Sequence, residues 1–163
     1  MLEKEVVVQS ARSYASNGFL CSEAVLLAVG GWLGVKSDLI PRVATGFGAG
    51  IGGCGSTCGA LSGGVIALGL RFGRNNPTRS KDEVRRPYWF SRELFERFEH
   101  EFGSTLCSVI TGCDISTDEG RKKYNDEKTW ETKCRRYIAS ATGIVYDLIV
   151  EEKRCANAEN SVA

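Results

Sequence analysis

The chain has 163 residues with average hydrophobic and charged fractions, and its 21 Lys and Arg nearly balance its 20 Asp and Glu. These values fit one compact domain with a core of its own, and the absence of a basic excess disfavours nucleic acid as a partner. Charges between Met1 and Glu5 stand where a secretory signal needs an apolar core, so we expect a cytoplasmic protein. We predict one domain over 1–152 and a polar, frayed tail over 153–163.

The first two predicted helices follow from a 3.6-residue apolar period. The spacing predicts a helix over 2–16, which Gly18 ends. The next helix begins at Cys21 and has one apolar face made of Cys21, Val25, Ala28 and Trp32. This face directs the Cys21 thiol into the core.

A short third helix is predicted after Ser37 and Asp38, either of which can cap it. Pro41 near its start is compatible with a first helical turn. We expect Val43 and Phe47 to point inward from this helix.

The segment over 43–70 contains no charged side chain and more than half of the glycines. Its length resembles a membrane span, but the glycines of its first half would leave backbone groups unpaired in lipid, so we expect no stable membrane insertion. We predict instead a close-packed loop over 46–56 and a central helix over 58–72, capped by Ser56 or Thr57.

Cys58 falls in the first turn of the central helix, where unsatisfied N–H groups and the helix dipole stabilise a thiolate. We therefore expect a lowered pKa for Cys58 and the highest thiol reactivity of the metal-free protein. The alternative is that Cys58 is a small buried apolar residue, as free cysteine usually is. Gly59, Gly63 and Ala67 form a stripe of small residues that favours close approach of another helix.

A long helix follows the polar loop over 74–79. Ser80 and Glu83 have the spacing of a capping box, and an aromatic stripe after them predicts a core-facing side. Cys107 and Cys113 lie in the short segment that comes next.

The last part of the chain predicts two further helices. Ser116 and Glu119 have a second capping-box spacing, and Thr132 is a candidate cap for a final amphipathic helix that points Cys134 inward. No stretch alternates as a half-buried strand between hairpin turns. The fold is predicted to be all-α, one compact domain of about five to seven helices around the glycine-rich loop and the central helix.

Seven cysteines and a single histidine make sulfur the dominant candidate ligand. Cys21, Cys58 and Cys134 fall near predicted helix starts on core-facing stripes, and Cys107 follows the aromatic helix, so we expect these four thiols to converge. Their spacing lacks the tight C-x-x-C pairs of zinc and ferredoxin sites and is by itself a weak indication of metal. His100 stands in a charged run and is predicted to be a surface residue.

The residues over 58–63 read Cys-Gly-Ala-Leu-Ser-Gly, with Cys21 before them and Cys107 and Cys134 after them. In this pattern, which extends over 18–149, the chain resembles the redox-active protein family C_GCAxxG_C_C. The resemblance implies a small, helical, bacterial or archaeal protein with a redox role.

An iron–sulfur cluster or another thiolate metal site for electron transfer would account for four inward thiols in a chain almost without histidine. The predicted ligands are Cys21, Cys58, Cys107 and Cys134, with Cys54 and Cys113 as additional ones. Gly59 and Gly63 of the motif are the predicted cofactor-binding glycines. Zinc or no metal at all are the alternatives to the cluster.

Two other functions stay open on the sequence. A thiol–disulfide oxidoreductase or redox sensor would use Cys58 as the attacking thiol and Cys54 or Cys107 as the resolving thiol. A non-catalytic structural protein would bury the cysteines as core residues and use its glycines for helix packing, including packing in a homodimer. The redox partner is not identified by any motif.

Overall fold

The computed structural model describes the backbone of residues 3–160 and the side chains up to residue 152. Within this range the chain forms eight α-helices and no strand, which confirms the all-α prediction and exceeds the predicted number of helices by one. The helices are α1 (Glu3–Ser16), α2 (Cys21–Trp32), α3 (Gly48–Ile51), α4 (Gly59–Phe72), α5 (Lys81–Phe102), α6 (Cys107–Thr111), α7 (Asp118–Asp126) and α8 (Arg135–Asn160). A 3₁₀ helix covers Arg42–Phe47, and a π-helical turn covers Trp130–Cys134.

Helix α4 lies at the centre and packs on α2, α5 and α8, while α1 covers α2 and α8. Small residues allow these close contacts. A Cβ added to Gly63 would lie 2.4 Å from the Ser22 carbonyl oxygen, and one added to Gly64 would lie 2.8 Å from the Leu94 side chain. The small-residue stripe of the central helix therefore packs against its neighbours, as the sequence predicts.

The ends of the helices follow the predicted caps only in part. The Ser80 hydroxyl accepts a hydrogen bond from the Glu83 N–H and caps α5 as predicted. The cap of α7 is Thr117, which accepts from the Gly120 N–H at 3.0 Å, so the prediction of Ser116 is wrong by one residue. The chain enters α8 through the π-helical turn, so Thr132 is not the cap of a regular helix.

The predicted third helix is replaced by turns and the 3₁₀ helix over Arg42–Phe47. Val43 and Phe47 are 46% and 38% exposed, so the expectation that they point inward is wrong. Ala44 is the buried residue of this segment. A hydrogen bond explains this orientation. The buried Ser22 hydroxyl donates to the Ala44 carbonyl at 2.7 Å and fixes which side of the 3₁₀ helix faces α2.

None of the helices in the described range combines the length and the apolar character that crossing a membrane requires. His100 is exposed, as predicted. The backbone of α8 continues to Asn160, while the side chains over 153–160 and all of 161–163 lie outside the described residues. The predicted tail and its Cys155 fall in that part.

Candidate functional site

Four buried cysteines line one cavity of about 400 Å³ at the amino-terminal end of α4. They come from four separate elements, namely the start of α2, the residue before α4, the start of α6 and the end of the π-helical turn. These cysteines are Cys21, Cys58, Cys107 and Cys134. The structure thus brings together the four thiols that the sequence singles out.

Cys58 and Cys107 are held side by side by backbone hydrogen bonds. The Cys58 N–H donates to the Thr105 carbonyl at 2.8 Å, and the Cys107 N–H donates to the Ser56 carbonyl at 2.7 Å. These bonds flank an isolated antiparallel bridge between Thr57 and Leu106. Two thiols that are far apart in sequence are thereby fixed on the same wall of the cavity.

Cys58 is itself the N-cap residue of α4, so the prediction of Ser56 or Thr57 as the cap is wrong. The N–H groups of Ala60 and Leu61 act to lower the pKa of Cys58, but burial and the neighbouring Cys21 raise this pKa far above its ordinary value. The expected low pKa of Cys58 is therefore wrong as well. Desolvation of a buried thiolate outweighs the favourable field of one helix end.

The short segment α3 is a left-handed turn and not a regular right-handed helix, and it places a backbone N–H beside Cys21. Ala49, Gly50, Ile51 and Gly52 have φ angles of 55°, 72°, 63° and 58°. Left-handed backbone costs a residue with a side chain about 1–2 kcal/mol, and runs of it are rare. The turn directs the Ala49 N–H at Cys21, where it acts to lower a pKa that burial raises. Such strain is characteristic of functional sites.

The two motif glycines have different positions. Gly59 lines the cavity, and a Cβ added there would lie 2.3 Å from the Cys21 Sγ. Gly63 does not line this cavity and instead lies against the backbone of α2 at Ser22. The first glycine leaves space beside a thiol, while the second sets the separation of α2 and α4.

Sequence reasoning missed the two polar residues that follow Cys21. Ser22 is fully buried and Glu23 is 9% exposed. The Glu23 carboxylate accepts from the Leu20 N–H at 2.9 Å and from the Thr45 hydroxyl at 2.6 Å. These bonds tie the start of α2 to the 3₁₀ helix that leads into the left-handed turn. Two adjacent polar residues on a helix that is otherwise apolar are the signal that could have identified them.

Three hydrogen bonds fix the carboxyl-terminal end of α6, which carries Cys107. The Tyr137 hydroxyl donates to the Ile110 carbonyl at 2.7 Å, the Lys133 Nζ to the Thr111 carbonyl at 2.6 Å, and the Lys123 Nζ to the Gly112 carbonyl at 2.8 Å. Carbonyls at a helix end have no partner inside the helix. Here α7, the π-helical turn and α8 supply the partners.

Tyr124 is a second residue that the sequence did not single out. Its hydroxyl lies 3.3 Å from the Cys134 Sγ, and its ring lines the cavity. Burial raises the pKa of Tyr124, so the phenol stays protonated and donates to the sulfur when Cys134 is deprotonated. Burial also raises the pKa of Cys134 to about 11 and that of Cys107 to about 12.

Cys54 and Cys113 do not line the cavity. Cys54 is exposed between Gly53 and Gly55, which have φ angles of 84° and 68°. Cys113 is 1% exposed, and its sulfur lies 3.8 Å from the Thr129 hydroxyl. These two cysteines therefore lie outside the cavity, although Cys113 is near enough to Cys107 and Cys134 to contribute to their raised pKa values.

Apolar and aromatic side chains form much of the remaining wall, namely Leu20, Ile115, Trp130 and Tyr137. Among the described residues, no group of three or more His, Cys, Asp or Glu side chains is arranged to hold a metal ion. The arrangement is thus an apolar chamber with four protonated thiols around it.

A family model described as "Putative redox-active protein (C_GCAxxG_C_C)" matches residues 19–148. The matched span contains the glycine loop and all four cysteines of the cavity. No curated protein and no solved structure matches the chain.

Proposed function

The chain belongs to the family described as "Putative redox-active protein (C_GCAxxG_C_C)", and from this membership we propose that it is an electron-transfer protein with an iron–sulfur cluster. The ligands in this proposal are Cys21, Cys58, Cys107 and Cys134. One observation carries it, namely that four separate elements each bring a buried thiol to one cavity.

The donor set and the space support a cluster over a single ion. Thiolates are the usual ligands of iron–sulfur clusters, and a tetrahedral zinc ion needs its sulfurs about 2.3 Å from one point. The described residues offer no group arranged around such a point. A cavity of about 400 Å³ has room for a group several atoms across, whose ligands approach different atoms.

Protonation of the thiols links metal loading to pH. Burial raises the pKa of Cys107 to about 12 and that of Cys134 to about 11, so both thiols are neutral at pH 7 in the metal-free protein. Ligation requires thiolates and therefore releases protons. We expect cluster loading to become more favourable as the pH rises.

Four groups of the protein would then stabilise negative charge on the sulfur ligands. The N–H groups of Ala49, Ala60 and Leu61 and the Tyr124 hydroxyl are directed at cavity sulfurs. When bound, a cluster of this kind supplies one-electron transfer, and hydrogen bonds to its sulfur ligands raise its reduction potential. The apolar walls keep water away from the same sulfurs.

Iron and acid-labile sulfide, measured in protein purified without oxygen, test this function. Serine variants of Cys21, Cys58, Cys107 and Cys134 are expected to lose most of the iron. Cys113→Ser is the matched control, because it removes a buried thiol outside the cavity, and it is expected to keep the iron. Wild-type protein that contains no iron, and whose cavity thiols all react with a thiol reagent once it is unfolded, would contradict the proposal.

Thiol–disulfide exchange is a second candidate, favoured by the exposure of Cys54 on the loop beside the cavity. The Cys54 thiolate would attack a partner disulfide and release one partner thiol, and Cys107 would then displace the second, leaving a Cys54–Cys107 disulfide. The raised pKa of the Cys58 thiol weighs against this residue as the attacking thiol. Mapping a Cys54–Cys107 disulfide in oxidised protein tests this function.

We further propose a cytoplasmic location, because a reducing compartment keeps the six described cysteines as free thiols. An electron-donor or electron-acceptor protein is the proposed partner. A homodimer stays a prediction.

A further inference from the structure

Positive charge is concentrated in one stretch of the chain, far from the thiols. Residues 71–92 contain seven Arg or Lys against two Asp or Glu, a net charge of +5 in a chain whose total is +1. This stretch covers the end of α4, the following loop and the first half of α5. A near-neutral protein therefore has a basic stretch that ends at Arg92, since the second half of α5 carries Glu93, Glu96, Glu99 and Glu101 against Arg97.

The outward side of α5 joins these cations to exposed aromatic rings. Helical spacing puts Lys81, Arg85, Tyr88 and Arg92 on the side of α5 opposite its buried residues Phe90, Leu94 and Phe98. Tyr88 is 70% exposed and the adjacent Trp89 is 52% exposed. Large aromatic side chains with this exposure are unusual next to cations that have no partner.

The cations of this face are free to bind something else. Arg71 and Arg86 are engaged, since both pair with Glu152. Lys81, Arg85 and Arg92 make no ion pair or side-chain hydrogen bond with any residue that the structure describes. The same holds, within the described residues, for Arg74 and Arg79 in the loop.

We propose that this surface, the α5 basic face, docks peripherally on the anionic headgroups of a lipid bilayer. It consists of Arg74, Arg79, Lys81, Arg85, Tyr88, Trp89 and Arg92. Arg and Lys are attracted to an anionic leaflet, and Tyr and Trp prefer the interface between headgroups and acyl chains. A flat headgroup layer contacts the outer side of one helix along three turns at once, about 18 Å. A headgroup layer therefore offers a partner both to the cations and to the two aromatic rings.

Docking in this way leaves the thiol cavity uncovered. The cavity lies at the amino-terminal end of α4, whereas α5 begins beside the other end, where Phe72 stacks on Phe90. A helix of 14 residues separates the two ends by about 20 Å. The proposal is therefore independent of what the thiols hold.

Co-sedimentation of the full chain with vesicles tests the proposal. We expect binding to phosphatidylcholine vesicles that contain phosphatidylserine, little binding to pure phosphatidylcholine, and release at about 0.5 M salt, where charge interactions are screened within a few ångströms. Removing two cations in Arg85→Gln/Arg92→Gln is expected to weaken partitioning by about 30-fold. The matched control is Arg12→Gln/Lys36→Gln, which removes the same charge from exposed sites outside this surface and is expected to bind like wild type.

Circular dichroism establishes that both double variants are folded before vesicle binding is compared. Equal weakening by the two double variants would overturn the proposal, since net charge and not this surface would then govern binding. Failure of wild type to bind anionic vesicles overturns it too, and duplex DNA or a second copy of the chain is then measured as the occupant. Trp89→Ser, which keeps all the charges, is expected to weaken binding in low-salt buffer, where wild type stays on the vesicles.

Discussion

The two ends of α4 differ in how they pack. At the amino-terminal end, Gly59 and Gly63 let a thiol and a backbone approach the helix, and a left-handed turn lies next to the cavity. At the carboxyl-terminal end, Phe72 stacks on Phe90 with 3.8 Å between ring centroids, and the Arg71 and Arg86 guanidinium groups lie over the Phe72 ring.

One end of α4 therefore stabilises the fold, and the other end carries the thiols. Buried aromatic rings remove large apolar areas from water and stabilise the fold. Left-handed residues and a thiol-lined cavity do the opposite, because strain and lost packing cost free energy. We infer that the aromatic end, with the rest of the core, holds the thiol end in its strained form.

Breaking the aromatic end is expected to have the largest effect on stability. Phe90→Ala removes a ring that is 5% exposed and stacked on Phe72, and a truncation of this kind costs about 3–5 kcal/mol. Urea unfolding at neutral pH measures the loss. Tyr88→Ala on the exposed side of the same helix is the control and is expected to change the free energy of unfolding by about 0.5 kcal/mol or less. Similar losses in both variants would contradict the comparison.

A matched pair of glycines tests the close approach at the thiol end. A Cβ at Gly63 would meet the Ser22 backbone at 2.4 Å, so Gly63→Ala must push α2 away and is expected to destabilise by about 1–3 kcal/mol. A Cβ at Gly69, in the same helix, meets nothing within 4 Å. Gly69→Ala is expected to stabilise by about 0.5–1 kcal/mol. The two unfolding curves should shift in opposite directions, and a stabilising Gly63→Ala would show that α2 and α4 are not in close contact.

Alkaline pH is expected to destabilise the metal-free protein through the thiol end. The pKa of Cys134 is raised from 9.0 to about 11, so the unfolded chain loses this proton first as the pH rises above 9. Stability that is fully present below pH 9 is then lost up to about pH 11, by about 3 kcal/mol for this thiol. Urea unfolding at a series of pH values measures the slope, which Cys134→Ala should reduce. An unchanged slope in Cys134→Ala would contradict the prediction.

The smallest expected effect concerns the hydrogen bond between Tyr124 and Cys134. Tyr124→Phe removes a bond of ordinary strength and is expected to cost about 0.5–1.5 kcal/mol. Because the hydroxyl acts to lower the pKa of Cys134, its removal should raise that pKa and slow the alkylation of Cys134 in alkaline buffer. Tyr137→Phe is the control, since that hydroxyl donates to the Ile110 carbonyl. Equal alkylation rates in wild type and Tyr124→Phe would contradict the assignment.

The sequence by itself predicted the all-α fold, because helical periodicity in α1, α2, α5 and α8 is a local property of the chain. It also singled out Cys21, Cys58 and Cys134, which fall near predicted helix starts on core-facing stripes, and Cys107, which follows the aromatic helix that packs on the same core. The roles of these thiols as ligands stay a prediction. The burial of the apolar faces of α1, α2 and α4 follows from the same pattern.

Only the tertiary structure decided the electrostatics and the details of the turns. Cys58 has a helix end beside it in sequence, but the desolvation that raises its pKa comes from elements far along the chain. Val43 and Phe47 carry an apolar pattern, yet two hydrogen bonds fix Ala44 as the inward residue, one donated by the Ser22 hydroxyl to the Ala44 carbonyl and one accepted by the Glu23 carboxylate from the Thr45 hydroxyl. A local pattern of residues indicates a preference for burial or for helix. The pKa of a group and the direction of a turn depend instead on which distant atoms exclude water or supply a hydrogen-bond partner.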